Sequence, residues 1–106
     1  MGLFEIFRTP DINRGVNEYR ETADAVLLDV RTPREHWNGH VPGSKNVPLQ
    51  MIDKVASVVG KKETPLFVYC HSGARSRQAA SALQHMGYTN VKNIGGIATY
   101  AGALKR

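Results

Sequence analysis

The sequence has one cysteine, Cys70, among its 106 residues. A single cysteine excludes an intramolecular disulfide and any metal site built from several thiolates. It also means that no second thiol of this chain can resolve a reaction at the first one. We therefore expect a cysteine in the reduced state, and no metal ion.

Long apolar runs are also missing. No run approaches the roughly 20 apolar residues that a helix needs to cross a bilayer. The apolar residues at positions 3–7 are interrupted by Glu5, and they are too few for a signal peptide. We therefore expect no contact with a membrane and a location in the cytoplasm.

Clusters of like charge are equally scarce, although the formal net charge is +5. The basic residues are scattered, and only positions 61–62 and 105–106 hold adjacent basic pairs. No basic stripe interleaved with aromatic residues appears, so the charge gives little support to nucleic-acid binding. A small anionic substrate remains compatible with this balance.

Two periodicities alternate along the chain. Apolar runs at residues 25–30 and 66–69 are typical of strands buried on both faces of a parallel sheet. Apolar residues at helical spacing predict helices over residues 12–20, 51–59 and 76–86. Short connections between them predict an α/β domain with a mostly parallel sheet and helices on both faces. We expect one domain over residues 1–106, with a short strand or arm at 3–7 and a last strand within 88–94.

A helix start follows directly after the run at residues 25–30. Thr32 is suited to the N-cap position, Pro33 to the first helical position, and Glu35 to the partner position of a capping box. Asn38 and Gly39 should end this helix after little more than one turn.

The most informative stretch surrounds Cys70. An apolar strand ends at the cysteine, a short polar loop follows, and a helical pattern opens at Ser76. In an open parallel sheet, ligands bind beyond the carboxyl ends of the strands. A helix N-terminus at this place would favour an anion and lower the pKa of the thiol. A buried structural cysteine is the alternative, but the polar loop favours a nucleophile.

The loop residues suit attack on an anionic substrate. Gly73 allows successive backbone N–H groups to point inward, and Arg75 can offer a planar fork to an oxyanion. Ser76 can cap the helix or donate its hydroxyl to Cys70. His71 either tunes the thiol or faces the solvent. Transfer of a sulfane sulfur and transfer of a phosphoryl group both fit this set.

The length of the loop between Cys70 and Arg75 favours transfer of a sulfane sulfur over transfer of a phosphoryl group. Protein-tyrosine-type phosphatases place five residues between the cysteine and the arginine, whereas four separate Cys70 from Arg75 here. A smaller ring of N–H groups suits a persulfide sulfur better than a tetrahedral phosphoryl group.

Four stretches in order resemble the single-domain rhodaneses, the thiosulfate sulfurtransferase family. They are residues 27–35 (LLDVRTPRE), 39–48 (GHVPGSKNVP), 68–76 (VYCHSGARS) and 93–96 (NIGG). The resemblance implies a rhodanese-like α/β fold with a five-stranded, mostly parallel sheet flanked by helices. It also implies that Cys70 carries a persulfide, cradled by the backbone of His71, Ser72, Gly73, Ala74, Arg75 and Ser76.

Two departures from the family pattern stand out. Tyr100 occupies a place, after the double glycine, where family members often carry tryptophan, and the segment before Asp24 matches only loosely.

Asp29 and Arg31, at the end of a predicted strand, should pair with each other and brace the loop rather than tune the thiol.

Three further residues have a chemical and a structural interpretation. His36 and His40 are four apart, as in some metal sites, but a turn separates them and further ligands are missing, which disfavours a metal. Trp37 is expected to pack near the Cys70 loop.

The expected function is therefore transfer of a sulfane sulfur from thiosulfate or another persulfide or polysulfide donor. The acceptor would be cyanide, a small thiol or a protein cysteine, and no cofactor is needed. One alternative is a rhodanese-like module that carries sulfur or binds partners without thiosulfate activity. A less favoured one is a relative of the phosphatases or arsenate reductases. We expect a monomer without a nucleic-acid partner.

Overall fold

The computed structural model describes residues 9–106, in which helices and strands alternate. The predicted strand or arm at residues 3–7 lies outside this range. The helices are α1 (Ile12–Glu21), α2 (Pro33–Trp37) and α3 (Ala74–His85), the strands are β1 (Val26–Asp29), β2 (Lys45–Asn46), β3 (Leu66–Cys70) and β4 (Val91–Gly96), and two 3-10 helices cover Leu49–Ser57 and Ile97–Thr99.

The four strands form one sheet in the order β2-β1-β3-β4, and every pair is parallel. All five residues of β3 are buried, as its unbroken apolar sequence predicts for a central strand. The predicted fold class is confirmed, with four strands rather than five between residues 9 and 106. Because parallel strands end at the same edge, Asp29, Cys70 and Gly96 lie together at the carboxyl edge of the sheet.

Helices cover both faces of the sheet, as predicted. One apolar cluster joins alternate residues of β1 and β3, such as Leu28 and Val68, to Val55 of the first 3-10 helix and Leu83 of α3. The opposite cluster packs the other residues of these strands against α1. Burial of each such side chain contributes roughly 1.5–3 kcal/mol, so the two clusters hold the carboxyl edge in place.

The start of α2 follows the predicted capping box. The Thr32 hydroxyl accepts a hydrogen bond from the Glu35 backbone N–H, and the Glu35 carboxylate accepts one from the Thr32 N–H. Pro33 is the first helical residue, as predicted. This short helix therefore begins shortly beyond the end of β1, next to the carboxyl edge.

Three local predictions need correction. The helix predicted over residues 51–59 is a 3-10 helix, Leu49–Ser57, with non-helical backbone at Met51. Helix α3 begins at Ala74, two residues before the predicted start, because Gly73 takes the N-cap position with a left-handed φ of +106°. Strand β4 continues through the predicted turn at Gly95 and Gly96, and a bulge at Ile94, just before it, shifts the register of β4 with β3.

Between residues 9 and 106, the structure has no helix that combines the length and the apolar character needed to cross a membrane.

Candidate functional site

Cys70 is the last residue of β3, and only 1% of it is exposed. Its Sγ accepts a hydrogen bond from the backbone N–H of Gly73 at 2.9 Å and lies 3.5 Å from Oγ of Ser76. Burial raises the pKa of this thiol, but hydrogen bonds from the Ser76 hydroxyl and from the N–H groups of Ser76, Gly73 and Ser72 outweigh it. The net pKa is below its ordinary value, which favours the thiolate.

The loop backbone is shaped by two glycine contacts. Gly73 adopts the left-handed conformation, which turns its N–H toward Sγ. Gly96 lies so close to the loop that a Cβ there would meet the backbone of His71 and Ser72 at 2.2–2.5 Å. The carbonyl of His71 also accepts a hydrogen bond from the N–H of Ala98 at 3.1 Å. The end of β4 thus fixes the position of the loop.

Ser76 lies inside α3 and does not cap it, which corrects one of its two predicted roles. Its buried hydroxyl contacts Asn93 Oδ1 at 2.7 Å, the Gly73 carbonyl at 3.1 Å and Cys70 Sγ at 3.5 Å. Because the hydroxyl carries one proton, these three acceptors compete for it, and donation to Sγ is the arrangement that helps to lower the thiol pKa. Asn93 also accepts a hydrogen bond from the N–H of Gly95 at 3.0 Å.

Arg75 points its guanidinium fork at Glu35. The two donor nitrogens lie 2.7 and 2.9 Å from the carboxylate oxygens of Glu35, and both side chains are one-third exposed. Arg75 lowers the pKa of Glu35 to about 2, and Glu35 raises the pKa of Arg75. The fork that was predicted to face an oxyanion therefore ties the first turn of α3 to α2, and substrate binding by Arg75 stays a prediction.

Asp29 and Arg31 form the pair that the bracing interpretation requires. Arg31 donates to both carboxylate oxygens of the fully buried Asp29, at 2.7–3.2 Å, and to the carbonyl of Gly39 at 2.8 Å. The hydroxyl of Tyr69 donates to Asp29 at 3.0 Å, and His36 Nδ1 lies 2.9 Å from the same oxygen. This network joins β1 to α2 and to the end of β3.

The pKa values of this network follow from its contacts. Burial raises the pKa of Asp29, but hydrogen bonds from Arg31 and His36 outweigh burial and bring it below its usual value. Burial, reinforced by the Asp29 charge, raises the pKa of Tyr69 to about 12. Since the Asp29 pKa is lowered by folding, its ionisation stabilises the fold above its unfolded pKa. That stability is lost as the pH falls through the folded pKa.

The two histidines of this region contact each other. The His36 and His40 rings stack with centroids 3.8 Å apart, and Nδ1 of His40 lies 2.9 Å from the carbonyl of His36. Among residues 9–106, no three His, Cys, Asp or Glu side chains are grouped to hold a metal ion. The prediction that Trp37 packs near the loop is wrong, since 78% of this side chain is exposed.

His71 lies on the rim between two surface depressions. One, of about 480 Å³, is lined by Ser72, Gly73 and Arg77 as well as by the start of the described chain. The other, of about 350 Å³, is lined by Glu35, Leu104 and neighbouring residues, with His71 again at its border. His71, which directly follows Cys70 in the chain, is therefore exposed at the border of both depressions.

Two residues that the sequence analysis left without a site role belong to this arrangement. Glu35 was interpreted only as a capping-box residue, and Asn93 only as part of the NIGG stretch. Both contact the loop helix from elements distant in sequence. Chemically, the assembly is a thiol with a lowered pKa under a ring of inward N–H groups, suited to hold a sulfur anion.

The family model described as "Rhodanese-like domain" matches residues 14–103. The chain is 41% identical over 71 residues to "Thiosulfate sulfurtransferase PspE" of Escherichia coli, covering 66% of this chain and 68% of that protein. It is 39% identical over 82 residues to "Sulfurtransferase" of Allochromatium vinosum, covering 76% of each.

Among solved structures, the chain is similar to "rhodanese with anions from E. coli". The two superpose with a TM-score of 0.72 and 36% identity, over 77% of this chain and 98% of the other. The segment matched by the family model contains β1 to β4, so the strand edge that carries Cys70 belongs to the shared fold.

Proposed function

Because the chain belongs to the rhodanese-like domain family, in which its relatives are named sulfurtransferases, we propose that it moves a sulfane sulfur through a Cys70 persulfide. The observation that carries this proposal is the Cys70 thiol, with its lowered pKa and the Gly73 N–H at 2.9 Å from Sγ. We propose thiosulfate, the donor in the name of the E. coli relative, as the sulfur donor.

The first step is attack of the Cys70 thiolate on the outer sulfur of thiosulfate. A new S–S bond forms while the S–S bond of thiosulfate breaks, and sulfite leaves with the bonding electron pair. In the second step an acceptor, such as cyanide or a thiol, attacks the outer sulfur of the persulfide. The Cys70 thiolate leaves, and no net oxidation or reduction is required. Ping-pong kinetics follow from this sequence.

The loop supports both steps electrostatically. The outer persulfide sulfur is anionic, and the N–H groups of Ser72, Gly73 and Ser76 that lower the thiol pKa are the donors near it. Preorganised donors of this kind stabilise developing negative charge without reorganisation. The similar E. coli structure is described as a rhodanese with anions, which is consistent with an anion site on this fold.

Wild-type protein should turn over thiosulfate with cyanide and show no more than trace hydrolysis of an aryl phosphate. The four-residue spacing gives a smaller ring of N–H groups than the five-residue spacing of protein-tyrosine-type phosphatases, so we expect too few donors for all the oxygens of a phosphoryl group. The measurement is a steady-state assay of one preparation with both substrates. Aryl-phosphate hydrolysis that depends on Cys70 would contradict the proposal. Loading by polysulfide but not by thiosulfate would identify a sulfur carrier instead.

Arg75→Ala should reduce kcat/KM for thiosulfate more than for a thiol persulfide, which has no oxyanion group for the guanidinium to bind. Loss of one charge-assisted contact costs about 1.5–3 kcal/mol, or roughly 10- to 150-fold. Glu35→Gln is the matched variant, because it removes the ion pair at 2.7 Å while keeping the guanidinium. It should retain thiosulfate use better than Arg75→Ala. Equal losses for both donors in Arg75→Ala would show that this residue only ties α3 to α2.

A further inference from the structure

The side chain of Trp37 is the largest apolar group on the surface near the proposed site. It is the only tryptophan in the chain, and 78% of it is exposed. It ends α2, a helix with no buried residue. Tryptophan and arginine are among the residues enriched at binding hot spots, and exposed apolar surface with a polar rim marks interaction sites.

The surface depressions connect Trp37 to the Cys70 loop. Trp37, Asn38 and Arg106 line one depression, and Asn38 also lines the next, together with Leu104 and His71. His71 then borders the depression above the loop. We call the surface formed by Trp37, Asn38, Leu104, Arg106 and His71 the Trp37 face.

Backbone contacts hold this face in one arrangement. His40 and Lys105 exchange two backbone hydrogen bonds of 2.9 Å, which places Leu104 and Arg106 on either side of a fixed residue. Leu104 is 47% exposed, although it packs close to Gly39. A preformed surface loses little conformational entropy when it binds.

The five side chains of the face include one basic group, that of Arg106, and no acidic one. The two carboxylates beside it are neutralised, since Asp29 pairs with Arg31 and Glu35 pairs with Arg75. Arg106 lines the face, and its side chain makes no ion pair with the residues in the described range 9–106. Complementary charge therefore favours a negatively charged partner.

We propose that the Trp37 face docks an acidic polypeptide whose cysteine accepts the sulfur from Cys70, with an apolar side chain of that polypeptide against Trp37. This inference rests on the proposed persulfide at Cys70. The acceptor thiolate attacks the outer sulfur, the S–S bond to Cys70 breaks, and the Cys70 thiolate leaves. The acceptor cysteine becomes a persulfide, and its thiol proton goes to the solvent.

The test measures discharge of persulfide-loaded protein by two synthetic peptides. Each carries one cysteine and one leucine, with three glutamates in one peptide and three lysines in the other. At low ionic strength the acidic peptide should react about 10-fold faster, and salt should remove the difference. Equal rates for the two peptides would overturn the proposal.

Two variants test whether the faster discharge by the acidic peptide depends on the Trp37 face. Trp37→Ala and Arg106→Glu should each slow discharge by the acidic peptide about 5-fold or more and leave discharge by cyanide unchanged. Val58→Ala, at a site 41% exposed, and Lys61→Glu are the controls, because both precede the amino end of β3, at the opposite edge. An equal loss of rate in the two control variants would contradict the claim that the acidic peptide binds at the Trp37 face.

Fluorescence gives a second readout, since all tryptophan emission comes from Trp37. A serine version of the acidic peptide should shift this emission to the blue as it covers the indole. A shift with a single-stranded oligonucleotide and none with the acidic peptide would assign the face to nucleic acid and overturn the proposal. Wild-type protein that takes up no sulfur, or is not discharged by cyanide, would instead contradict the proposed function.

Discussion

Replacing Cys70 with serine is expected to abolish sulfur transfer, with a loss of about 10³-fold or more. The serine hydroxyl is protonated at neutral pH and is a poor nucleophile, whereas the thiol of Cys70 has a lowered pKa. Transfer from thiosulfate to cyanide should fall to the rate without protein. A variant that keeps activity near that of the wild type would contradict the assignment of Cys70.

The same substitution should leave the fold intact. Cys70 is buried in the apolar cluster that contains Leu28 and Ala79. The side chain of serine is only slightly smaller in volume than that of cysteine. The new hydroxyl can still accept the hydrogen bond from the Gly73 N–H. We expect a loss of about 1–2 kcal/mol in the free energy of unfolding. Circular dichroism and thermal unfolding of the variant separate loss of chemistry from loss of structure.

Gly96→Ala is expected to have the second largest effect, although Gly96 is not proposed to touch the substrate. Its new Cβ would lie 2.2 Å from the His71 carbonyl oxygen and 2.5 Å from Ser72 Cα. Both are backbone atoms of the loop, so relief of the clash requires the loop itself to move. A displacement of about 1 Å can cost about 10²-fold in rate, and overpacking costs about 1–3 kcal/mol of stability.

Gly60→Ala is the matched control, because a Cβ at Gly60 meets no atom within 4 Å. It should change the free energy of unfolding by less than about 0.5 kcal/mol and leave activity unchanged. The measurement is urea unfolding of both variants, with transfer assays under conditions in which each is fully folded. Wild-type activity in Gly96→Ala would show that the end of β4 does not position the loop.

Local patterns were sufficient to predict most of the fold. The apolar run of β3 and the capping box of Thr32 and Glu35 act over a few residues, so the sequence displays them directly. The sheet order and the partners of buried groups depend on contacts between distant residues, which periodicity does not encode. The segment predicted as a helix over residues 51–59 is a 3-10 helix that packs against α3, and the spacing of its apolar residues does not distinguish the two helix types.

The site was predicted in part for the same reason. The cysteine, the loop glycine and the following helix are contiguous, and the structure brings them together around Sγ. Glu35 lies 40 residues before Arg75, and Asn93 lies 17 residues after Ser76. No local pattern links these pairs, so the sequence predicts an oxyanion as the partner of Arg75, and either a helix cap or donation to Cys70 as the role of Ser76.

The exposed position of Trp37 could not be predicted from its sequence neighbours either. Aromatic side chains gain free energy from burial, which is why the sequence predicts that Trp37 packs near the Cys70 loop. Here α2 is too short to bury any of its residues, and the indole ends on the surface. Whether a side chain of a short helix is buried depends on the elements that the helix contacts, and only the tertiary structure shows those contacts.

Mass spectrometry of the intact protein after treatment with thiosulfate shows whether Cys70 carries the sulfur. We predict a mass gain of one sulfur atom, located on the peptide that contains Cys70, absent from Cys70→Ser and lost on addition of cyanide. No mass gain, or a gain that persists with cyanide or appears in Cys70→Ser, would contradict the proposal that Cys70 carries the sulfur.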